Sequence, residues 1–379
     1  MPNSERRMTR LGRREFLGAA GAMALGAVAE AAAKKPSVVY LGSFSTWGNP
    51  RGRGLEVGAA DLATGQLTIT ESVGNVPDAS FLAFAPDRRT LYAVSELKPQ
   101  GRVTALDIGS DPGRPTVRNT QPAGGGGPTH LSVHPSGRYL LTATYTDGTV
   151  VVHPLLADGR IGAATHTVRH EGEGRAAHAH QVITDPSGRW VIAVDLGADS
   201  LYVYGLDLAA GRLSLNQQLK LPAGTGPRHL AFHPQGRHAY ILSELRSEIT
   251  VAAWDAGAGR FTPGQTIGTL GETAPPRNFA AEIQVSPDGR FVYASNRGQN
   301  SIAMFRTEGS GERLSFGGVT PTGGAWPRHF TLDPSGRWLY VANQNANTVT
   351  WLPRDPVSGK VGAVAGSAKA NGVSVILFG

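Results

Sequence analysis

Six segments of the chain say nearly the same thing. They are FLAFAPDRRTLYAV around Pro86, HLSVHPSGRYLLTA around Pro135, QVITDPSGRWVIAV around Pro186, HLAFHPQGRHAYIL around Pro234, EIQVSPDGRFVYAS around Pro287 and HFTLDPSGRWLYVA around Pro334. The intervals between successive prolines are 49, 51, 48, 53 and 47 residues. A period near fifty marks a propeller or a linear array, and it has to be accounted for before any local assignment is made. Within a repeat the apolar residues alternate with period two. HLAFHP reads as a strand, PQGR as a tight turn, HAYILSEL and EITVAAWD as two further strands, and FTPGQTIGTL as a fourth after the turn at DAGAGR. Helical arrays of this period need amphipathic helices, and none of useful length is present. Four antiparallel strands per fifty residues make one propeller blade.

The ends supply a seventh unit. Residues 37–73 contain SVVYLGSFS, GLEVGAADLATG and QLTITESV, which read as strands two, three and four without a first, and the C-terminus holds a lone apolar strand, GVSVILFG. Together they complete a blade and hide a strand edge that would otherwise template aggregation. The expected fold is all-β: a seven-bladed β-propeller of four-stranded antiparallel blades, closed by the C-terminal strand joining the N-terminal blade. The 50 Gly and 25 Pro spread along the chain suit the many turns this requires.

Residues 1–33 read differently. A basic start, a weakly apolar stretch from Phe16 to Ala29 and small residues at Ala31–Ala33 make an export signal, too short and too rich in Gly and Ala for a membrane span. Its Arg13-Arg14-x-Phe16-Leu17 core resembles the twin-arginine type, which makes the twin-arginine export machinery an expected partner and the periplasm, or another exported location, the expected destination. The propeller is expected over residues 36–379. Removing residues 1–33 removes five Arg and three Glu, so the net charge falls from +7 to +5. The remaining charge is dispersed, without basic blocks interleaved with aromatics, which argues against nucleic-acid binding. With no Cys in the chain, disulfides and thiolate metal sites are excluded. A monomer is expected.

Five stretches carry a resemblance: GPTHLSVHPSGRYLLTATY, HAHQVITDPSGRWVIAVDLGADSLYVY, GPRHLAFHPQGRHAYILSEL, AAEIQVSPDGRFVYASNRGQNSIAMF and PRHFTLDPSGRWLYVANQNANTV. In these the chain resembles the propeller lactonase family, which includes the propeller type of bacterial 6-phosphogluconolactonase and a fungal muconate cycloisomerase. The Pro-x-Gly-Arg turn is common to many propellers. The ordered set of His-x-His, Pro-Arg-His, Glu-Leu, Ala-Glu-Ile and Asn-Arg-Gly is specific.

In a propeller, strand one lines the central channel and strand two returns to the mouth from which strand one set out. Residues five before each repeat proline, and nine or ten after it, are therefore expected near one mouth. Five before stand His130, His229, Glu282 and His329, with His180 one residue early in its blade and Arg228 and Arg328 alongside. Nine or ten after come Glu96, Tyr145, Asp195, Glu244, Asn296, Arg297, Asn343 and Gln344. Titratable groups converging in one cleft suit acid–base chemistry. His134 and His233, directly before a proline, and the arginines after each turn glycine are expected on the opposite face in structural roles. His178 and His180 share a strand face but lack a clear third metal ligand, and no Gly-x-Ser-x-Gly elbow is present.

Opening a lactone needs an activated water and a charge partner for the developing oxyanion. The expected roles are Glu282 or His180 as general base, with Arg228 and Arg328 as oxyanion or anion donors. His130, His229, Glu244, Arg297, His329 and Asn343 are expected to bind substrate. The resemblance implies hydrolysis of a sugar-acid lactone without cofactor or metal. An export signal favours an unphosphorylated aldonolactone over a cytoplasmic sugar phosphate. A lactone-forming cycloisomerase, or a non-catalytic propeller that binds carbohydrate or protein, remains the alternative.

Overall fold

The computed structural model describes residues 36–379 apart from Asn49 and Thr273; the export-signal expectation for residues 1–33 lies outside the described residues. Every regular element among them is a β-strand, and the 28 strands form seven four-stranded sheets. Blades 2 to 7 each use four consecutive strands. Their innermost strands are Leu82–Phe84, Pro128–Val133, Ala179–Thr184, Pro227–Phe232, Phe279–Val285 and Pro327–Leu332. Blade 1 takes its outer three strands from Ser37–Ser43, Leu55–Ala60 and Leu67–Val73, and its innermost from Val373–Phe378. The closing strand pairs antiparallel with the first, Val39 opposite Phe378 and Tyr40 opposite Leu377. Ile376 and Phe378 pack with Tyr340 and Ala342 of blade 7, while Val375 packs with Leu82 and Leu91 of blade 2, so the closing strand is glued on both faces.

One device repeats around the whole ring. An aromatic side chain from strand two of each blade donates a hydrogen bond to a backbone carbonyl in the outer hairpin of the next blade. The bonds run from Tyr40 to Pro112, Tyr92 to Gly159, Tyr139 to Leu208, Trp190 to Ala256, Tyr240 to Gly311, Tyr293 to Gly359 and Tyr340 to Gly65. The aromatic body fills the space between blades while its polar tip satisfies the turn. The receiving turn must come close. At Gly259, with φ +65°, a Cβ would fall 2.5 Å from the Trp190 ring, so both the backbone conformation and the packing call for glycine. No helix among the described residues is long and apolar enough to cross a membrane.

Candidate active site

The mouth is built by two features of the sheet. The first is a β-bulge at the start of the innermost strand. In blade 5, Pro227 lies opposite Ser243 and His229 opposite Leu242, leaving Arg228 as the extra residue. The same shift leaves Thr129 over in blade 3, His180 in blade 4, Arg328 in blade 7 and Ser374 in blade 1. A bulge re-aims a side chain locally, and here it lets two successive residues, Arg228 and His229, line one small cavity. It also explains why His180 stands one residue early. His180 occupies the bulge position of Arg228, and Gln181, at the position of His229, is spent bonding the backbone of Leu230.

The second feature is alternation along strand two. The residue nine after the repeat proline is absorbed into the fold. Thr144 bonds Thr149, Asn296 bonds Thr269 and Ser301, and Asn343 donates to Thr350 Oγ1 at 2.9 Å. Asn343 is wholly buried in this ladder, so the structure does not bring it to the mouth where substrate binding was expected. The residue ten after the proline faces the cleft, which gives Glu96, Tyr145, Glu244 and Arg297. The sequence did not separate the two positions, because both are polar in most blades.

Glu244 holds two guanidiniums. Its Oε2 lies 2.8 Å from Arg297 and 3.1 Å from Arg228 Nε, the latter an ion pair off the line of an ideal hydrogen bond. Arg228 also donates to the carbonyl of Ala281, and Arg297 to those of Phe279 and Ala280. Arg297 stacks 5.3 Å over the Trp326 ring. Arg328, from across the channel, pairs with Glu96 at 3.4 Å and lies 5.1 Å over Phe44. Burial, then the neighbouring Arg297 and Arg328, push Arg228 down to about 9, opposed by Glu244 and Glu282. It remains a cation at neutral pH, as a guanidinium does in nearly any setting.

Beneath the arginines lies a tier of imidazoles. His130 and His229 have ring centroids 5.6 Å apart, His180 and His229 5.2 Å, and Phe81 packs 4.0 Å from His130. Burial is the main force pushing all of them down. It takes His329 to about 4 and leaves His130, His180 and His229 well below the usual imidazole range. For His180 the further causes are Arg228, His229, Arg328 and Arg297. The Nδ1 of His180 is buried and finds no hydrogen-bond partner among the described residues.

Glu282 sits beside the imidazoles, with one oxygen bonded to the backbone. Its Oε1 accepts the Ile283 N–H at 3.0 Å, and its Oε2 lies 3.2 Å from His229 Nδ1 and 3.7 Å from His329 Nε2. Arg228 donates to His229 Nε2 and the Ile376 amide donates to His329 Nδ1. Neither His229 Nδ1 nor His329 Nε2 makes a hydrogen bond to Glu282, the first being off the line of one and the second at 3.7 Å. Burial pushes the Glu282 carboxyl up, opposed by His329 and Arg228. A cavity of about 10 Å³, the size of one water, lies between Arg228, Glu282, Arg328 and His329. His178 is turned elsewhere, its ring bonded to the carbonyl of Tyr145 and stacked on that side chain. No cluster of three metal-ligating side chains occurs among the described residues. The turn-face histidines bridge blades: His134 Nε2 lies 3.1 Å from the carbonyl of Gly188, and His233 Nε2 lies 3.2 Å from that of Gly289.

Residues 38–378 match the family described as the lactonase, seven-bladed β-propeller family. A 6-phosphogluconolactonase of Bacillus subtilis is 31% identical over 327 residues, covering 85% of this chain and 92% of its own. One from Formosa agariphila is 31% identical over 349 residues, 89% of this chain and 98% of its own. Among solved structures, a periplasmic gluconolactonase of Pseudomonas aeruginosa superposes with a TM-score of 0.84 at 31% identity, covering 90% of this chain and 98% of that one.

Proposed function

The chain belongs to the lactonase family of seven-bladed β-propellers, and on that premise we propose that the mouth opens a sugar-acid lactone by adding water across its ester carbonyl. The chain is a lactonase, a carboxylic-ester hydrolase. The finer assignment is an unphosphorylated aldonolactone met outside the cytoplasm. It is supported by the twin-arginine-type segment at Arg13-Arg14 and by the likeness to a periplasmic gluconolactonase.

One observation carries the roles. His180 is an imidazole kept neutral by burial and by its neighbours Arg228, His229, Arg328 and Arg297. Among the described residues its Nδ1, like that of His229, has no hydrogen-bond partner, but no carboxylate pairs with the His180 ring as Glu282 does with His229. That is a proton acceptor next to donors for an oxyanion. In the proposed step a water oxygen bonds to the lactone carbonyl carbon while His180 takes a proton from it. The carbonyl oxygen becomes an oxyanion held by the Arg228 guanidinium, which Glu244 shares with Arg297. Collapse breaks the ring C–O bond, and the departing oxygen recovers the proton from the His180 imidazolium. The product is the open hydroxy acid. Such a base contributes about 10²–10⁴ in rate, and one preorganised oxyanion donor about 10²–10³. Arg328 and Tyr145 stand where substrate hydroxyls would be positioned. Glu282, with one oxygen bonded to the Ile283 amide and the other within ion-pair distance of two imidazoles, serves as the counter-charge to Arg228, His229 and His329.

A panel of γ- and δ-aldonolactones, phosphorylated and not, assayed by proton release against the spontaneous rate, tests this directly. Turnover above background is expected, with higher kcat/KM on the unphosphorylated members. A preference for the phosphorylated lactone would overturn the finer assignment, and a rate equal to background on all of them would remove the proposed chemistry.

A further inference from the structure

A second cavity, of about 170 Å³, lies at the seam between blades 7 and 1. Phe44, Trp47, Gly48 and Pro50 form one wall, and Gln344, Asn345, Asn347 and Gly372 form the other. Its lining differs in kind from that of the mouth. Two aromatic rings and three carboxamides line it, from Phe44, Trp47, Gln344, Asn345 and Asn347, and no charged side chain is among the lining residues.

Two features of this cavity are unexplained by the fold. Trp47 is 47% exposed, with its ring held 4.1 Å from that of Phe44. Gln344 is 8% exposed, and its Oε1 is buried without a hydrogen-bond partner. A buried amide oxygen left unpaired costs stability. The position ten after the repeat proline is where blades 2, 3, 5 and 6 present Glu96, Tyr145, Glu244 and Arg297 to the cleft, so Gln344 belongs to the same series. Asn347 Oδ1 already accepts the Gly372 N–H, which leaves the Gln344 and Asn345 carboxamides. An aromatic platform beside such groups fits a ligand with one apolar face and hydroxyl donors at its edge. The neutral lining gives a phosphate or carboxylate nothing to pair with.

We propose that this cavity is a subsite for a neutral pyranose ring, so that the enzyme takes lactones of aldonic acids that carry a further glycosyl unit. The inference rests on the lactonase assignment of the mouth. Its geometry is that of the ring of blades. His180 and Arg228 belong to blades 4 and 5, and the cavity lies between blades 7 and 1, on the other side of the channel. Phe44 joins the two, since it lines the cavity and also lies 5.1 Å beneath Arg328 at the mouth. A lactone whose carbonyl meets Arg228 reaches the cavity only if it is extended.

The test compares δ-gluconolactone with the lactone of cellobionic acid on the full-length protein, its Trp47→Ala variant and its Gln344→Leu variant. The wild type should show about tenfold higher kcat/KM on the disaccharide lactone, in keeping with one well-made stacking and hydrogen-bonding contact. Trp47→Ala should erase that advantage and leave gluconolactone turnover unchanged. Gln344→Leu, which keeps the volume, should erase part of it. Titration with cellobiitol, which has no ester to cleave, gives a readout independent of catalysis: the wild type should bind it, with quenching of tryptophan fluorescence, and Trp47→Ala should not. Equal kcat/KM on the two lactones, or cellobiitol binding that survives Trp47→Ala, would overturn the subsite. Cellobiitol binding without turnover of either lactone would leave the subsite standing and sink the lactonase assignment.

Discussion

Both ends of the propeller channel carry histidines and arginines at places set by the repeat, and they differ in what holds them. At the turn end, His134 and His233 do the same thing in two blades, each reaching the carbonyl of the next blade's turn glycine. At the mouth end, the equivalent positions carry chemistry that varies around the ring, and where a residue type recurs its partners do not: Arg228 pairs with Glu244 and Arg328 with Glu96. The bulge position is Thr129, His180, Arg228, Arg328 or Ser374, and its neighbour one residue on is His130, Gln181, His229 or His329, with Glu282 in blade 6. A side chain that recurs with the same partner is part of the architecture. A position whose geometry recurs while its chemistry changes is free to be used for something else. The mouth follows the second pattern.

The sharpest break of that comparison removes the architecture itself. Deleting residues 373–379 strips the innermost strand from blade 1 and with it the buried side chains of Val373, Val375, Ile376 and Phe378. At about 1.5–3 kcal/mol for each large apolar side chain, the loss is roughly 6–12 kcal/mol. That is comparable with the whole stability of an ordinary domain, about 5–15 kcal/mol. The variant should yield no soluble folded monomer by gel filtration. A truncated protein that melts like the parent would show that ring closure does not hold the fold together.

Changes at the mouth should do the reverse, sparing the fold and removing the chemistry. His180→Gln should lower kcat by about 10²–10⁴, and Arg228→Ala should lower kcat/KM by about 10²–10³, both with near-native circular dichroism. Glu282→Gln should cost less than about tenfold, as expected of a group that supports rather than accepts the proton. Steady-state kinetics on the preferred lactone ranks the three. If Glu282→Gln proves the most damaging, the base is Glu282 and the tier must be reassigned.

Much of this was legible in the sequence, and the limits have physical causes. The blades, their number and the closure at GVSVILFG follow from the fifty-residue period and the two-residue alternation. The convergence of His130, His180, Arg228, His229, Glu282, Arg297, Arg328 and His329 follows from strand direction alone. Asn343 could not be told from Gln344, because one residue of register exchanges the two faces of a strand and both residues are polar carboxamides. The tyrosine and tryptophan bonds between blades were missed for a different reason. Their acceptors are backbone carbonyls, which carry no sequence signal beyond a turn glycine such as Gly159, Gly311 or Gly359. Trp47 and Trp326 likewise sit in irregular segments, where periodicity says nothing about direction.

A smaller effect probes the electrostatics of the mouth. His180 must be neutral to accept a proton, so kcat/KM should rise with pH through its depressed value, well below 6.5, and be flat by neutral pH. Tyr145 and His229 face the ring as well, but the cations Arg228, Arg297 and Arg328 are the neighbours whose removal changes its charge balance. Neutralising one of them by Arg328→Gln removes a repulsion that disfavours the imidazolium. The acid limb of the profile should move up, toward the ordinary imidazole range. A limb that stays in place, or moves down, would mean that a group other than His180 controls the rate.

The smallest expected change lies at the other end of the channel. His233 caps its own turn, its Nδ1 accepting the Gln235 N–H at 3.2 Å, while its Nε2 faces the carbonyl of Gly289 in blade 6. Burial is the main force that lowers it, and none of the mouth groups contributes. His233→Ala removes one bond within the turn and one between blades, and a typical intramolecular hydrogen bond contributes about 0.5–1.5 kcal/mol. Unfolding by urea should therefore show a modest loss, of about 1–3 kcal/mol for the two bonds together. Lactone turnover should stay within about twofold of the parent, since a change at the opposite end of the channel from the reacting groups adds nothing to the barrier beyond that. The pairing of effects is what matters: stability falls while activity holds, the mirror image of His180→Gln. Were His233→Ala instead to lose activity at unchanged stability, the two ends of the channel would be coupled through blade 5, and recurrence with a fixed partner would no longer separate architecture from function in this ring.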